Sequence, residues 1–175
     1  MKFVFPRAEY EDGATAYIRE FHDHASQVNG AGGLERYLRD HTYSEWLAKV
    51  RADADIANVP PGKVPSLTYF YVRESDDKII GMINIRLALN DFLRTEGGHI
   101  GYSIRPTERR RGYGTQMLRE ALEFCAPIGL REVILTCDKS NPASSGVIKN
   151  CGGVLDAEFF SEAYNKVIQR YKIIR

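Results

Sequence analysis

Hydrophobic residues recur along the chain with two different periods, and the period assigns each stretch to a helix or a strand. Near the start, apolar residues spaced three and four apart predict a helix that includes Tyr17 to Val28. The glycine-rich stretch 29–33 ends this helix, and a second helical stripe begins at Leu34. Thr42 and Glu45 match a capping box, which predicts that a further helix begins there.

The later stretches alternate between apolar and polar residues or form short buried runs, as strands do. Residues 90–98 are polar and predict a loop, whereas Tyr113 to Ile128 carry the clearest helical stripe, with Gly129 at the expected C-cap. The other predicted elements are strands at 2–8, 67–74, 79–89, 99–105, 132–137, 154–164 and 167–174, and a short helix at 142–150. This order predicts an α/β (α+β) fold, a mixed sheet with helices on both faces.

Composition and charge narrow the class of protein. The 175 residues fit a single domain spanning 1–175, and the net charge of +1 argues against nucleic-acid binding. Three cysteines without a C-x-x-C pair favour a reducing compartment. Pro6 and Arg7 interrupt any signal peptide, and no apolar run could span a membrane. We therefore expect a cytoplasmic protein with no nucleic-acid or membrane partner.

His22 and His24 do not share a helix face, and no metal site is expected.

The strongest chemical signal is the segment Arg-Arg-Arg-Gly-Tyr-Gly-Thr at 109–115, between a predicted strand and the clearest helix. Unpaired N–H groups at a helix N-terminus attract anions. Gly112 and Gly114 let the backbone approach a phosphate, and arginines add charge-assisted hydrogen bonds. The P-loop pattern is absent, and Met117 stands where a dinucleotide loop needs a third glycine. The alternatives are a solvated arginine run and a nucleic-acid patch.

Three short patterns resemble the GNAT superfamily of acetyl-CoA-dependent N-acetyltransferases, in order and in spacing, and most of all bacterial predicted acetyltransferases. They are Arg109-x-x-Gly112-x-Gly114, the preceding Ile104-Arg105-Pro106, and Asn141, Ser144 and Gly152 after the next strand. The resemblance covers nearly the whole chain and is most specific from about 67 to 153. It implies a mostly antiparallel sheet whose fourth and fifth strands splay apart to admit the cofactor.

The resemblance also implies how acetyl-CoA binds. The pyrophosphate would rest on N–H groups of the 109–115 segment, and the pantetheine arm would pair with the backbone of Ser103 and Ile104. Asn141 would hydrogen-bond the arm from the other side, although Asn141 before Pro142 is equally a helix N-cap. The implied cofactor-binding residues are Ser103, Ile104, Arg109, Arg110, Arg111, Gly112, Tyr113, Gly114, Thr115, Asn141 and Ser144.

The implied reaction is direct acetyl transfer to a primary amine in a ternary complex, and the amine must first lose a proton. In relatives a carboxylate at the start of the fourth strand often takes it. Here His99 opens that strand with Glu96 just before it, and His99 is preferred because its ordinary pKa lies near neutrality. Many relatives have a tyrosine seven residues after the asparagine as proton donor. This chain has Ile148 there, so water or a tyrosine such as Tyr164 would have to serve.

Two other interpretations stay open: a non-catalytic module that binds acyl-CoA as a sensor, motivated by the missing tyrosine, and a nucleic-acid binder. The acceptor is a small-molecule or peptide amine that the sequence does not name.

Asn84 and Arg86 are polar residues on an apolar strand. They could line the acceptor pocket, or Asn84 could brace the sheet. The final hairpin could pair across a homodimer.

Overall fold

The computed structural model describes residues 1–175, which form two compact units, one of residues 1–88 and 101–113 and one of residues 89–100 and 114–175. The predicted α/β (α+β) class is confirmed, and the single-domain organisation stays a prediction. In chain order the elements are β1 (Lys2–Val4), α1 (Glu11–Asp23), α2 (Leu34–Asp40), α3 (Tyr43–Asp53), β2 (Ser66–Arg73), β3 (Lys78–Arg86), β4 (Ile100–Ile104), α4 (Tyr113–Cys125), β5 (Glu132–Asp138), α5 (Pro142–Asn150), β6 (Val154–Ser161) and β7 (Lys166–Ile174).

The first unit is built on a four-stranded sheet in the order β1-β2-β3-β4, in which β2 is antiparallel to both β1 and β3. Apolar side chains of α1, α3 and this sheet form one core, where Trp46 stacks on Phe70 with 5.9 Å between ring centroids. The capping box of α3 is confirmed. The Thr42 hydroxyl accepts from the Glu45 N–H at 3.3 Å, and the Glu45 carboxylate accepts from the Thr42 N–H at 2.7 Å.

The second unit contains a three-stranded antiparallel sheet in the order β5-β7-β6. One face of α4 is buried, as its helical stripe predicts, through Met117, Leu118, Ala121, Leu122 and Cys125. The strands thus divide into two sheets where the sequence predicted one, and β4 and β5 belong to different sheets. None of the helices combines the length and apolarity that crossing a membrane demands.

Several boundaries predicted from the sequence are wrong: β1 ends at Val4 and not at residue 8, α4 at Cys125 and not at 128, and β6 at Ser161 and not at 164. Two further differences lie at short-range chain reversals. Helix α1 ends at Asp23 rather than near Val28, because Ala25 adopts a φ of 47° and the Ser26 N–H closes on the Phe21 carbonyl at 2.9 Å. The polar stretch predicted as a loop contains a π-helical turn at Leu93–Gly97. Such a turn is too short to show an apolar period, so the sequence pattern carries no signal for it.

Candidate active site

The segment that follows β4 is anchored to α1 at its start. Glu20 accepts from the Thr107 N–H and hydroxyl at 2.9 and 2.8 Å, and pairs with Arg105 at 2.7 Å. Arg105 is buried and also donates to the Ile79 carbonyl at 2.8 Å. Burial by itself would raise the pKa of Glu20, but these hydrogen bonds and the Arg105 charge lower it. The carboxylate therefore stays ionised and fixes the path by which the chain leaves the strand.

After this anchor the backbone enters α4 with its N–H groups unpaired. Arg110 and Gly112 have positive φ angles of 62° and 82°. The N–H groups of Arg110, Arg111 and Gly112 make no backbone hydrogen bond, and α4 begins at Tyr113. A Cβ added to Gly112 would meet no atom within 4 Å, so a ligand can reach this backbone. Free N–H groups at a helix N-terminus form the kind of site that binds phosphate.

Arg109 of the loop faces the protein. Its Nε donates to the Ile104 carbonyl at 3.1 Å, and a terminal nitrogen donates to the Ser26 hydroxyl at 2.7 Å. Its guanidinium carbon lies 5.3 Å from the ring centroid of Phe21. These contacts hold the beginning of the loop against the end of α1. The guanidinium of Arg109 thus already has two protein acceptors. Its contact with phosphate stays a prediction.

A buried carboxylate, Glu108, gathers the charges beside the loop. It pairs with Lys78 at 2.9 Å and with Arg73 and Arg111 at 3.2 Å each. Burial alone would raise the pKa of Glu108, but Lys78 and Arg73 lower it. Arg73 also pairs with Asp76 at 2.6 Å, so three cations and two carboxylates leave net positive charge here. Arg110 is exposed and forms no ion pair. No sequence pattern marks Glu108, because it lies in a polar run without periodicity.

The backbone of β4 already has partners within the first unit. The Tyr17 hydroxyl donates to the Ser103 carbonyl at 2.9 Å, and the Ser103 hydroxyl donates to the Asn29 carbonyl at 2.5 Å. Burial raises the pKa of Tyr17 far above its usual range, so this phenol remains a donor. The carbonyl of Ile104 accepts from Arg109 at 3.1 Å. A pantetheine arm that donates to the carbonyl oxygens of Ser103 and Ile104 would therefore share these acceptors with Tyr17 and Arg109.

Asn141 is the N-cap of α5, as one of its two predicted roles requires. Its Oδ1 accepts from the Ser144 N–H at 3.1 Å, and Pro142 occupies the first helical position. The side chain is exposed, and its Nδ2 has no partner, so it remains available to a ligand. The Ser144 hydroxyl lies beside the buried thiol of Cys137, whose pKa is raised by that burial. The cap is confirmed, and the ligand contact stays a prediction.

His99, the preferred base, is buried and bonded twice to one residue of β5. The backbone N–H of His99 donates to the Ile134 carbonyl at 2.7 Å, and the ring Nδ1 accepts from the Ile134 N–H at 2.9 Å. This second bond leaves Nδ1 without a hydrogen, so a neutral ring carries its proton on Nε2. Taking up a proton at Nδ1 would break that bond. The geometry favours a structural role for His99, and its role as base stays a prediction.

Glu96, the other candidate base, lies in the π-helical turn and is half-buried. Its backbone carbonyl accepts from the Thr136 hydroxyl at 2.8 Å, and its carboxylate Oε2 accepts from the Ser161 hydroxyl. The Ser161 oxygen also accepts from the N–H of Tyr164 at 3.1 Å. The fold thus brings the carboxylate of Glu96 and the backbone N–H of Tyr164, both predicted residues, to one serine that no sequence pattern marks.

A family model described as an acetyltransferase (GNAT) domain matches residues 7–154 of this chain. The chain belongs to this GNAT acetyltransferase family. A curated relative, N-acetyltransferase family 8 member 3 of Rattus norvegicus, is 28% identical over 109 residues, which are 61% of this chain. The aligned region spans about half of that relative, 48% of its length.

Solved structures share the fold of the GNAT domain at low sequence identity. A microcin self-immunity acetyltransferase in complex with acetyl-CoA and AMP aligns with a TM-score of 0.70 and 15% identity, covering 99% of this chain and 91% of that one. A mutant spermidine N-acetyltransferase from Vibrio cholerae aligns at 0.63 and 13%, covering 99% and 95%. A GNAT-family acetyltransferase from Streptococcus pneumoniae aligns at 0.66 and 17%, covering 99% of both chains.

Several other side chains of this GNAT domain are structural. Ile148 has no hydroxyl group, and its side chain is fully buried on α5. Asn84 braces the sheet by donating to the hydroxyls of Ser66 at 3.1 Å and Thr68 at 3.0 Å. All three cysteines are free and buried, and burial raises the pKa of each thiol, which disfavours the reactive thiolate. These residues are Cys125, Cys137 and Cys151.

Proposed function

We propose that this GNAT domain transfers the acetyl group of acetyl-CoA to a primary amine by direct attack in a ternary complex. The observation that carries the proposal is the open backbone at Arg110 to Gly112, where free N–H groups meet the start of α4. Positive φ at Gly112 and the absence of any atom near its Cβ position suit close approach of a pyrophosphate.

The proposed cofactor contacts follow from this loop. The pyrophosphate would accept from N–H groups between Arg111 and Thr115, and Arg110 would add a free guanidinium. Tyr113 and Gly114 supply the first N–H groups of α4, which have no acceptor within the helix. The backbone of Ser103 and Ile104 and the Nδ2 of Asn141 would contact the pantetheine arm. No metal is needed, because the thioester is already activated for attack by an amine.

The chemistry would need one proton acceptor and one proton donor. As the amine nitrogen attacks the thioester carbonyl carbon, a base takes its proton, the carbon–sulfur bond breaks, and the CoA thiolate is protonated. Glu96 and His99 remain the two proposed bases. Glu96 is the better supported of the two, because its Oε1 has no hydrogen-bond partner, whereas the Nδ1 of His99 already accepts a hydrogen bond. With Ile148 at the usual tyrosine position, water or Tyr164 would protonate the thiolate.

The acceptor is proposed as a small-molecule or peptide amine. Names of the structural neighbours include spermidine as an acceptor, which fits this class without selecting within it. Nucleic acid is a poorer candidate, since Arg109 and Arg111 are engaged by the protein and leave Arg110 alone. Homodimer formation through the final hairpin, β6 and β7, stays a proposal. A sensor that binds acyl-CoA without turnover is the second candidate, supported by the buried Ile148.

A thiol-release assay with acetyl-CoA and a panel of primary amines tests the function. We expect CoA release that depends on the amine, and stabilisation of the protein by CoA alone. CoA binding without release for any amine would favour the sensor. No shift in melting temperature at millimolar CoA would contradict both. His99→Gln and Glu96→Gln then assign the base, with a loss of about 10²–10⁴ in turnover expected for the residue that fills that role.

A further inference from the structure

The carboxylate of Glu96 is oriented by a single hydroxyl group. Ser161, which is 1% exposed at the end of β6, donates to Oε2 from 65 positions further along the chain. The direction of this bond is fixed by the third partner. The Tyr164 N–H can only donate, so the Ser161 oxygen accepts there and its one hydrogen goes to the carboxylate. Oε1 of Glu96 has no hydrogen-bond partner.

The backbone of Glu96 is held independently of its side chain. Its carbonyl accepts from Thr136 on β5 at 2.8 Å, and the turn that carries it closes through the Gly98 N–H and the Leu93 carbonyl at 2.6 Å. Arg170, the cross-strand partner of Thr136 on the central strand β7, donates to the Arg94 carbonyl of the same turn at 3.4 Å. π-helical turns are rare, and they are found frequently at functional sites.

These contacts give Glu96 the properties of a general base. Such a base needs a defined orientation and a lone pair that the protein leaves free. Ser161 fixes the first oxygen, and the second remains open to an acceptor amine. His99 lacks this property, because its Nδ1 is taken by the Ile134 N–H.

We propose that Ser161 is a positioning residue that orients the Glu96 carboxylate as the general base of the acetyl transfer. The proposal rests on the proposed acetyltransferase function. Oε1 of Glu96 accepts the proton of the amine as its nitrogen bonds to the thioester carbonyl carbon. The carbon–sulfur bond breaks, and the CoA thiolate takes a proton from water or from Tyr164.

A double-mutant cycle tests the proposal by steady-state kinetics with acetyl-CoA and an amine that the panel identifies. We expect Glu96→Gln to lower kcat by about 10²–10⁴. Ser161→Ala is expected to lower kcat about 10-fold, equivalent to about 1.4 kcal/mol, with the KM for acetyl-CoA unchanged. In the Glu96→Gln background, Ser161→Ala should have no further effect, because the group it positions is gone.

The matched control is Ser145→Ala, which removes a hydroxyl from α5 that donates to the Pro142 carbonyl at 3.2 Å. It should keep the parent kcat. If Ser161→Ala does not fold, Ser161→Cys keeps the volume and substitutes a weak donor, and the same non-additivity is expected. An equal loss of kcat in both backgrounds would reduce Ser161 to a structural role and overturn the proposal. No CoA release by the parent protein would overturn the proposed function and this inference together.

Discussion

At the scale of single residues, the loop before α4 is shaped by positions that tolerate a left-handed backbone. Gly112 has a φ of 82° and open space where a Cβ would stand. Arg110, with a φ of 62°, adopts the same region although it has a side chain. Left-handed conformations cost an L-residue roughly 1–2 kcal/mol, so the loop accepts strain at Arg110 and avoids it at Gly112.

We expect Gly112→Ala to weaken CoA binding more than it weakens the fold. The substitution strains the backbone by about 1 kcal/mol and puts a methyl group where phosphate is proposed to approach. Isothermal titration with CoA and urea denaturation measure the two effects. Gly129→Ala is the control, since Gly129 has a φ of 87° and equally open surroundings in the turn that follows α4. Equal CoA affinity in the two variants would remove Gly112 from the site.

At the scale of elements, the stretch 29–33 crosses β4 at backbone contact. A Cβ on Gly30 would lie 2.2 Å from the Gly101 carbonyl oxygen, so no side chain fits at that crossing. The crossing is fastened by the Ser103 hydroxyl on the Asn29 carbonyl at 2.5 Å. The connection between α1 and α2 is therefore determined by close packing against a strand as well as by its glycine content.

We expect Gly30→Ala to lower the free energy of unfolding by about 2 kcal/mol more than Gly62→Ala does. Both glycines have positive φ, 74° and 80°, but a Cβ on Gly62 would meet nothing within 4 Å. The two variants thus share the backbone strain and differ only in the clash. Urea denaturation of both variants measures the difference. Equal losses would show that stretch 29–33 can move away from β4 without cost.

At the scale of the whole molecule, the charges nearly cancel, with a net charge of +1, yet they are distributed unevenly. The largest internal cluster places Arg73, Lys78 and Arg111 around the buried Glu108. The lowered pKa of Glu108 means that its ionised form is favoured by the folded state. Its contribution to stability is therefore present above its unfolded pKa, about 4.3, and is lost as the pH falls through its folded pKa.

We expect Glu108→Gln to lower the free energy of unfolding by about 3 kcal/mol at neutral pH, because three cations lose a buried partner. The difference from the parent protein should shrink as the pH falls through the lowered pKa of Glu108, where the parent takes up a proton. Urea denaturation across this pH range measures it. Glu123→Gln, on the exposed side of α4, should follow the parent at every pH. A constant difference across the range would contradict the linkage.

Features set by neighbouring residues could be predicted from the sequence. The capping box at Thr42, the cap at Asn141, the buried stripe of α4 and the glycines of the phosphate loop all depend on contacts within a few positions. Such local hydrogen bonds and backbone preferences involve only residues that are close in the sequence. The sequence by itself therefore determined the class of fold, the order of its elements and the place of the proposed phosphate site.

Tertiary packing alone decided which polar groups are free. It turned Arg109 onto Ser26, 83 positions away, joined Glu96 to Ser161, and gave the Nδ1 of His99 to a backbone N–H. No periodicity or spacing carries that information, because the sequence letter of a residue is the same whether or not its hydroxyl or carboxylate is hydrogen-bonded in the folded protein. The partner of a polar group depends on which distant segment the core brings next to it, and that is a property of the folded chain.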